Sequence, residues 1–255
     1  MNCFSKILNF ALFVTKIYAL RLMQYNVEWL FIDYYKSADC PGNGCTYYNE
    51  IVVGNDLYQN GTIIDEVNPD IINLCEVKGI NELNILQESL KYSDEYKSYL
   101  LKGTYTNTGQ NVGLITKIVP TSDLKRTDNR EAYPVSFTTC DSVDRCVKRE
   151  GQAMVIQDLI IEYVNKDYEI VVIGDMNDYD NKINDKNDDN PISQVLNILK
   201  GEKSDAVYKL TNLNSLVIKY ERYRNWWDKN DNCELSYDEL VLIGHILVSN
   251  VLIIK

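Results

Sequence analysis

Apolar segments of strand length in this sequence end in polar side chains that a buried strand does not need. Asn26 lies at the end of the alternating stretch Leu20–Val27. Glu76 lies near the end of Pro69–Val77, and Asp175 ends a third apolar run. Burying an isolated carboxylate in apolar surroundings costs free energy unless something pairs with it. These segments therefore predict strands whose ends carry a site on a rigid frame.

Segments with helical periodicity separate these strands. The spacing of apolar residues predicts one helix from about Asn81 to Tyr92 and another from Arg145 to Tyr163. Between them, Tyr96–Leu101 and Val112–Val119 are typical of a hairpin. Alternating strands and helices predict an α/β or α+β layered domain. A length of 255 residues favours one large domain over two small ones.

Other segments are less constrained by their pattern. Asp178–Asn190 is rich in acids and amides and predicts a loop, whereas Leu240–Ile254 fits either a helix and a strand or two strands. Arg145, Lys148 and Arg149 form a basic trio at the start of the second predicted helix. On an acidic protein we expect such a trio to be a solvated face.

The N-terminus has the three parts of a signal peptide. A Lys within the first six residues precedes the apolar run Ile7–Val14, and the small residue Ala19 follows. We expect cleavage after Ala19, which leaves residues 20–255 as the mature domain, secreted or in the endomembrane lumen. An amphipathic first helix is the alternative. Later runs fall short of the ~18 apolar residues that a spanning helix needs, so stable membrane insertion is not expected.

The cysteine count fits an oxidising compartment. Removing Cys3 from the seven cysteines leaves six, an even number. The turn-rich segment Cys40–Cys45 can bring its ends together, and we expect a disulfide there, with Cys140–Cys146 as a second candidate. Both pairs could instead be free thiols, and their spacing is a poor zinc pattern. Residues 60–62 (Asn-Gly-Thr) form a glycosylation acceptor sequence.

Charge and histidine content limit the function. With 26 Lys and Arg against 37 Asp and Glu, the net charge of −11 repels phosphate polyanions. Contact with nucleic acid would need bound metal cations or a local basic strip. His245 is the only histidine, so a site that needs several histidines is excluded.

The residue types at the predicted strand ends suit phosphodiester chemistry. A carboxylate at one strand end, a second carboxylate followed two residues later by an amide, and an Asn on a third strand supply hard oxygen ligands for Mg²⁺. Such a site uses the metal to neutralise phosphate charge, a carboxylate to orient water, and amides to hold phosphate oxygens.

These segments also resemble a known family. Tyr25–Val27, Asp70–Val77 and Val172–Asp178 resemble, in this order, the Asn, Glu and Gly-Asp-x-Asn motifs of the endonuclease/exonuclease/phosphatase superfamily, which has the deoxyribonuclease I-like fold. The stretches Gly109–Ile115 and Ile243–Ser249 are further matches. Three motifs in the right order make the resemblance more specific than any one of them.

The resemblance implies an α/β fold, a two-sheet α/β sandwich with outer helices, here incomplete. It implies Glu76 as a metal ligand and Asp175 as the carboxylate that positions or activates water next to the metal. It further implies Asn177 as a phosphate contact and Asn26 as part of the metal and water network. The implied cofactor is Mg²⁺ or Mn²⁺, with Ca²⁺ as another candidate ion.

The sequence departs from the family pattern near its C-terminus. The family carries a catalytic His on a Ser-Asp-His segment, and the sequence reaches Lys255 without one. Gly244 stands where the family has an Asp that orients that His. Pro134–Arg145 is too short for the family's central His-bearing strand. We therefore expect His245 to point away from the acidic cluster, and any catalysis to be slow.

A second pattern lies at Asp228–Glu239. It matches a calcium loop at the first, third, fifth and twelfth positions, but Cys233 occupies the sixth, where Gly is needed for a positive φ. An acidic loop beside the pair Trp226-Trp227 is the better interpretation.

Two hypotheses remain from the sequence. The first is a monomeric, divalent-metal-dependent phosphodiester hydrolase, nuclease-like, with nucleic acid, a small phosphodiester or a phospholipid head group as substrate. The second is a catalytically dead relic or binding module of the same fold.

Overall fold

The elements of the fold are taken from a computed structural model that describes residues 20–30, 34–35, 46–47, 60–103, 110–125, 143–202, 206–223, 225–226 and 234–253. The strands are β1 (Leu22–Leu30), β2 (Tyr34–Tyr35), β3 (Thr46–Tyr47), β4 (Ile71–Val77), β5 (Lys97–Leu100), β6 (Asn111–Thr116), β7 (Val171–Asp175), β8 (Leu210–Asn212), β9 (Asn225–Trp226), β10 (Leu240–Val241) and β11 (Gly244–Ser249). The helices are α1 (60–67), α2 (Ile80–Ser89), α3 (Val143–Val164) and α4 (Val195–Leu199).

The longer strands form two sheets. The first has the order β1-β4-β6-β5, in which β1 and β4 are parallel and the other pairs are antiparallel. The second has the order β7-β11-β8 and is antiparallel. Two short antiparallel pairs, β2-β3 and β9-β10, form separate two-stranded sheets.

Each sheet packs its outer face against helices. Ile64 of α1 and Leu83 and Leu86 of α2 join the buried residues Ile72 and Ile115 of the first sheet in one apolar cluster. A second cluster joins α3 and α4 to the outer face of the second sheet; its members include Ala153, Ile160, Leu199, Leu210 and Leu247. The inner faces meet through β1 and β4 on one side and β7 and β11 on the other. The protein therefore has the expected α/β fold, a two-sheet sandwich with outer helices.

The inner face of the first sheet is polar toward one end. Gln24 and Asn73 are buried, and their amide nitrogens lie 3.9 Å and 3.5 Å from the Sγ of Cys75. Cys75 is a free, buried thiol, so the six cysteines of the predicted mature chain cannot all form pairs. The polar groups on this part of the inner face thus contact one another.

The predicted elements and the observed ones differ mainly at their ends. The predicted helices correspond to α2 and α3, and the predicted hairpin to β5 and β6. Of the two predictions for Leu240–Ile254, the one with two strands is confirmed over residues 240–253, which contain β10 and β11. Asp178–Asn190 contains no helix or strand. No helix in the described ranges combines the length and apolar character needed to span a membrane.

Several predictions concern residues outside the described ranges. These are the signal peptide at residues 1–19, the Cys40–Cys45 bridge, Cys140, and most of the calcium-like loop; they stay predictions. Asn60, the acceptor of the glycosylation sequence, is buried and its Oδ1 accepts a hydrogen bond from the Tyr25 hydroxyl at 2.6 Å. A glycan could not be attached there without disturbing this contact.

We predict that Gly113→Ala destabilises the protein, because α2 lies against β6 at this point. A Cβ on Gly113 would lie 2.9 Å from both terminal methyls of Leu83, which is fully buried. Overpacking of this kind costs about 1–3 kcal/mol, measurable by urea denaturation. Gly61→Ala is the matched control: its Cβ would meet Ser89 Oγ at 3.4 Å, and Ala in a helix is favoured over Gly by ~0.5–1 kcal/mol. Equal stability of the two variants would contradict the prediction.

Candidate active site

Three strands from both sheets bring together Asn26, Glu76 and Asp175. Glu76 and Asp175 lie at or next to the ends of β4 and β7, but the prediction that Asn26 ends its strand is wrong: β1 continues to Leu30, with a shift of register after Asn26. The side-chain amide of Asn26, on β1, donates hydrogen bonds to Glu76 Oε1 at 2.9 Å and to Asp175 Oδ2 at 3.3 Å. Glu76 belongs to β4 of the same sheet and Asp175 to β7 of the other. One NH₂ group thus lies between two carboxylates that come from different sheets.

A bulge in β4 brings Glu76 to this position. The register shifts between Leu74 and Val77, and Glu76 has a φ of 66°. Both Leu74 and Val77 pack into the apolar cluster under the helices, so Cys75 and Glu76 take the place that one residue would have in a regular strand. By alternation alone Glu76 would face the helices. The bulge turns its carboxylate toward Asn26 instead.

Asp175 is held by neighbours on several sides. Its Oδ1 accepts the backbone N–H of Asn177 at 2.9 Å, and Arg149 adds a positive charge nearby. Burial raises the pKa of Asp175, and the hydrogen bonds from Asn177 and Asn26 together with Arg149 oppose that rise. Burial also raises the pKa of the Cys75 thiol beside it. Cys75 is therefore a neutral neighbour of the carboxylate and adds no charge to the site.

Asn177 follows Asp175 in a left-handed backbone conformation. Its φ is 49°, which non-glycine residues seldom adopt, although Asn does so more readily than most. Its backbone carbonyl accepts a hydrogen bond from Arg149 Nη2 at 2.9 Å. The residues predicted to form the site are thus brought together, with Asn177 directly beyond Asp175; their chemical roles stay predictions.

The prediction of a solvated basic trio is wrong for Arg149. Its side chain is fully buried, and its Nη2 lies 3.5 Å from Asp178 Oδ2, which is also fully buried. Arg149 comes one helical turn before Ala153, on the stripe that continues to Ile160. This position on the buried stripe of the helix is the sequence signal that could have shown that Arg149 is buried. The prediction was based on its charge instead of on the helical periodicity.

Comparison by sequence and comparison by structure give different results for this chain. No protein-family model matches it, and neither does any curated protein. Solved structures do match. D. rerio TDP2 complexed with single strand DNA product superposes with a TM-score of 0.53 at 14% identity, covering 90% of this chain and 83% of that one. The 3′ phosphatase NExo from Neisseria, bound to product DNA hairpin, gives 0.52 at 16% identity, covering 78% and 83%.

This chain has the fold of the endonuclease/exonuclease/phosphatase superfamily. The structural similarity covers most of the chain, and the sequence identity is too low to carry more than the fold. Within that fold, the motifs found in the sequence lie in the middle of β1 and at the ends of β4 and β7. This agreement between motif order and strand position is independent of the superposition.

His245 lies away from the cluster, as the departure from the superfamily pattern predicted. The ring is buried on the helix-facing side of β11, opposite Gly174 of β7. Its Nδ1 faces the amides of Asn212 and Asn214 at 3.0 Å and 3.1 Å, and its Nε2 faces the Asp178 carbonyl at 2.9 Å. Two amide donors at Nδ1 fix the neutral tautomer in which Nε2 carries the proton.

Gly244 is the residue that the motif resemblance matches to the superfamily's orienting Asp, and Gln24 fills the space beside it. Gly244 pairs with Asp175 across the second sheet. A Cβ on Gly244 would overlap the Oε1 of Gln24, which reaches over from β1. The pocket that an Asp side chain would need is therefore taken by an amide from the facing sheet.

Glu239, the twelfth residue of the calcium-like pattern, forms a hydrogen bond within the protein. Glu239 is buried, and its Oε2 accepts the backbone N–H of Ser236 at 3.3 Å as part of a capping box. This acid caps the short 3₁₀ helix Tyr237–Glu239, which agrees with the interpretation of the segment as an acidic loop.

We predict that the single histidine titrates far below its usual range. Burial lowers the pKa of His245 to about 4. The unfolded chain, with a pKa near 6.5, then binds more protons than the folded chain at intermediate pH. The contribution of the neutral histidine to the free energy of unfolding is therefore complete above about pH 6.5. It is lost as the pH falls toward 4, and it amounts to about 1.4 kcal/mol per unit of pKa difference. Imidazole NMR of the protein measures the pKa and the tautomer directly. Titration near 6.5, or a proton on Nδ1, would contradict this assignment.

We predict that Gly244→Asp is destabilising and that Gln24→Ala partly reverses the loss. The new side chain and Gln24 compete for one space, so the two changes should couple by about 0.5–3 kcal/mol. A double-mutant cycle by urea denaturation checks this. Additive effects would show that Gln24 is not the obstacle.

Proposed function

We propose that the protein is a divalent-metal-dependent phosphodiester hydrolase of the nuclease type, acting at Asn26, Glu76, Asp175 and Asn177. The observation that carries the proposal is the Asn26 amide held between the carboxylates of Glu76 and Asp175. A fold that only needed stability would not bring two carboxylates to one sheet edge on a chain of net charge −11.

The donor set at this edge fits Mg²⁺ or Mn²⁺. Mg²⁺ is usually held by one or two carboxylates and keeps several waters. In the described part of the chain, no group of three or more His, Cys, Asp or Glu could hold a metal ion, so the site offers two carboxylates and an amide. Glu76 and the amide oxygen of Asn26 would hold the ion, with Asp175 beside it. The bound ion would supply positive charge to the phosphate.

The protein side chains have separate tasks in this proposal. Asp175, whose carboxylate is fixed by Asn26 and by the Asn177 backbone, orients a water and takes up its proton. The Asn177 side chain donates to a phosphate oxygen next to Asp175.

Nucleic acid is the substrate class we propose. The TDP2 and NExo structures that share this fold contain DNA products. The acidic charge of the chain opposes polyanion binding unless a metal ion is present. The reaction should therefore depend on the divalent cation for substrate binding as well as for chemistry.

The position of His245 favours a second candidate, a binding module with the same fold. Its imidazole is buried, neutral and bonded to Asn212 and Asn214, so it cannot face a phosphate. Loss of a general acid commonly costs about 10²–10⁴-fold in rate. The protein would then bind a cation and a phosphodiester while cleaving slowly or not at all.

We predict Mg²⁺- or Mn²⁺-dependent nicking of supercoiled plasmid by the full chain, abolished by EDTA. Glu76→Gln and Asp175→Asn should each lower the rate by at least about 10²-fold, because each removes a carboxylate that the chemistry uses. The rate should be insensitive to His245→Gln at a temperature where that variant is folded.

Asp94→Asn serves as the matched control, since Asp94 is an exposed acid in the 3₁₀ helix Ser93–Glu95 far from this edge in the fold. Metal binding by the same variants, measured by quenching of protein fluorescence or by calorimetry, distinguishes the two candidate functions. Glu76-dependent metal binding without nicking supports the binding module. Nicking that survives both Glu76→Gln and Asp175→Asn contradicts the proposed site.

A further inference from the structure

We propose that Arg149 is a positioning residue, which fixes the turn after β7 and thereby the side chains of Asp175 and Asn177. This inference rests on the proposed function for its catalytic consequence, but the geometry it invokes can be measured without substrate. Nothing in the motif pattern assigns Arg149 a role.

The guanidinium binds successive peptide groups of the turn. Its Nη2 donates to the carbonyl of Met176 and to the carbonyl of Asn177, both at 2.9 Å. The same nitrogen lies 3.5 Å from the Asp178 carboxylate. Three consecutive residues directly after Asp175 therefore converge on one side chain of α3.

This turn needs to be held because its backbone is strained. Asn177 has a φ of 49°, and conformations of this kind persist only when the surroundings over-determine them. The N–H of Asn177 is bonded to Asp175 Oδ1 and its carbonyl to Arg149. The residue is thus fixed on both sides, and the carboxylate of Asp175 is fixed by the same turn.

Asp178 connects the turn to the rest of the fold. Its carboxylate accepts the backbone N–H of Ile192 at 2.8 Å and that of Ser193 at 3.1 Å, as well as the Ser193 hydroxyl. These residues directly precede α4. Arg149 and Asp178 therefore join α3, the turn and the start of α4.

The buried ion pair is better explained by geometry than by stability. Arg149 and Asp178 are both fully buried, and desolvation largely cancels the attraction within such pairs. An apolar pair would serve packing as well. The Nη2 of Arg149, which makes these contacts, lies one bond farther along the side chain than the Nζ of a Lys would, so an ammonium at this position would not reach both carbonyls and the carboxylate together.

The test compares Arg149→Lys and Arg149→Gln with Ser193→Ala in the full chain. Ser193→Ala weakens the far side of Asp178 and leaves the bonds from Arg149 to the turn in place. The readouts are kcat and KM for plasmid nicking, thermal stability, and hydrogen exchange of the Asn177 amide, which reports the bond to Asp175 directly.

We expect both Arg149 variants to lower kcat by about 10²-fold with KM unchanged, since small misplacements of reacting groups have effects of this size. The Asn177 amide should exchange at least about 10-fold faster than in Ser193→Ala at equal thermal stability. Full activity and unchanged exchange in Arg149→Lys would overturn the proposal, because charge alone would then suffice.

The test distinguishes failure of the proposed function from failure of the role of Arg149. If the wild type does not nick DNA and its metal binding does not depend on Glu76, the proposed function is wrong. Faster exchange of the Asn177 amide in the Arg149 variants would still support the positioning role of Arg149. If neither Arg149 variant folds, exchange in the wild type decides. An Asn177 amide that opens only with global unfolding supports the proposal, and one that opens locally overturns it.

Discussion

The site depends on keeping two carboxylates from different sheets close together in a protein that is already acidic. The Asn26 amide makes this arrangement stable, since its NH₂ donates to both Glu76 and Asp175. Without such a donor, like charges at short range would separate or one would take up a proton. The bulge at Glu76 follows from this requirement, because a regular strand would direct its side chain toward the helices. Asp175 reaches the amide from its regular position in β7, opposite Gly244.

A second polar region supports the site from the helix side of the second sheet. Asp180 accepts hydrogen bonds from Lys200 at 2.7 Å and from Asn212 at 2.9 Å. Burial works to raise the pKa of Asp180, and these two partners outweigh burial and lower it. Asn212 also faces His245. The only imidazole of the chain is therefore part of a buried network that holds the loop behind the turn, and its neutral form is the one that this network accepts.

The same residues explain why the fold and the activity have to be judged separately. The superfamily fold, the order of the motifs and the meeting of Asn26, Glu76 and Asp175 are all present. The position that would orient a catalytic His is Gly244, and Gln24 fills the space around it. Among the described residues, the two carboxylates and the amide are the groups that our proposal assigns to a cation, and His245 does not face them. Slow hydrolysis and binding alone are the two proposed outcomes, and the metal-dependent experiments on Glu76 distinguish them.

The sequence by itself determined the layered architecture and most of the candidate site. Alternating apolar runs and helical stripes specify which face of each element is buried, and this local information sufficed to predict α2, α3 and the hairpin β5-β6. It also marked Asn26, Glu76 and Asp175, because a polar residue that ends an apolar strand has a cost that packing does not explain. The expectation that His245 would lie apart from them came from its position after Gly244 in the motif.

Only the tertiary structure decided which polar groups meet and in what geometry. The bulge that turns Glu76 toward Asn26 depends on the register between three strands, and register is a property of pairing over long range. Arg149 was predicted to be solvated, because a Lys- and Arg-rich trio is usually exposed on a helix. It is buried because Asp178 and the Asn177 carbonyl, contributed by a distant segment, supply the partners that a buried guanidinium requires. The partners that offset the desolvation of Arg149 are far from it in the sequence, so a local sequence pattern does not reveal them.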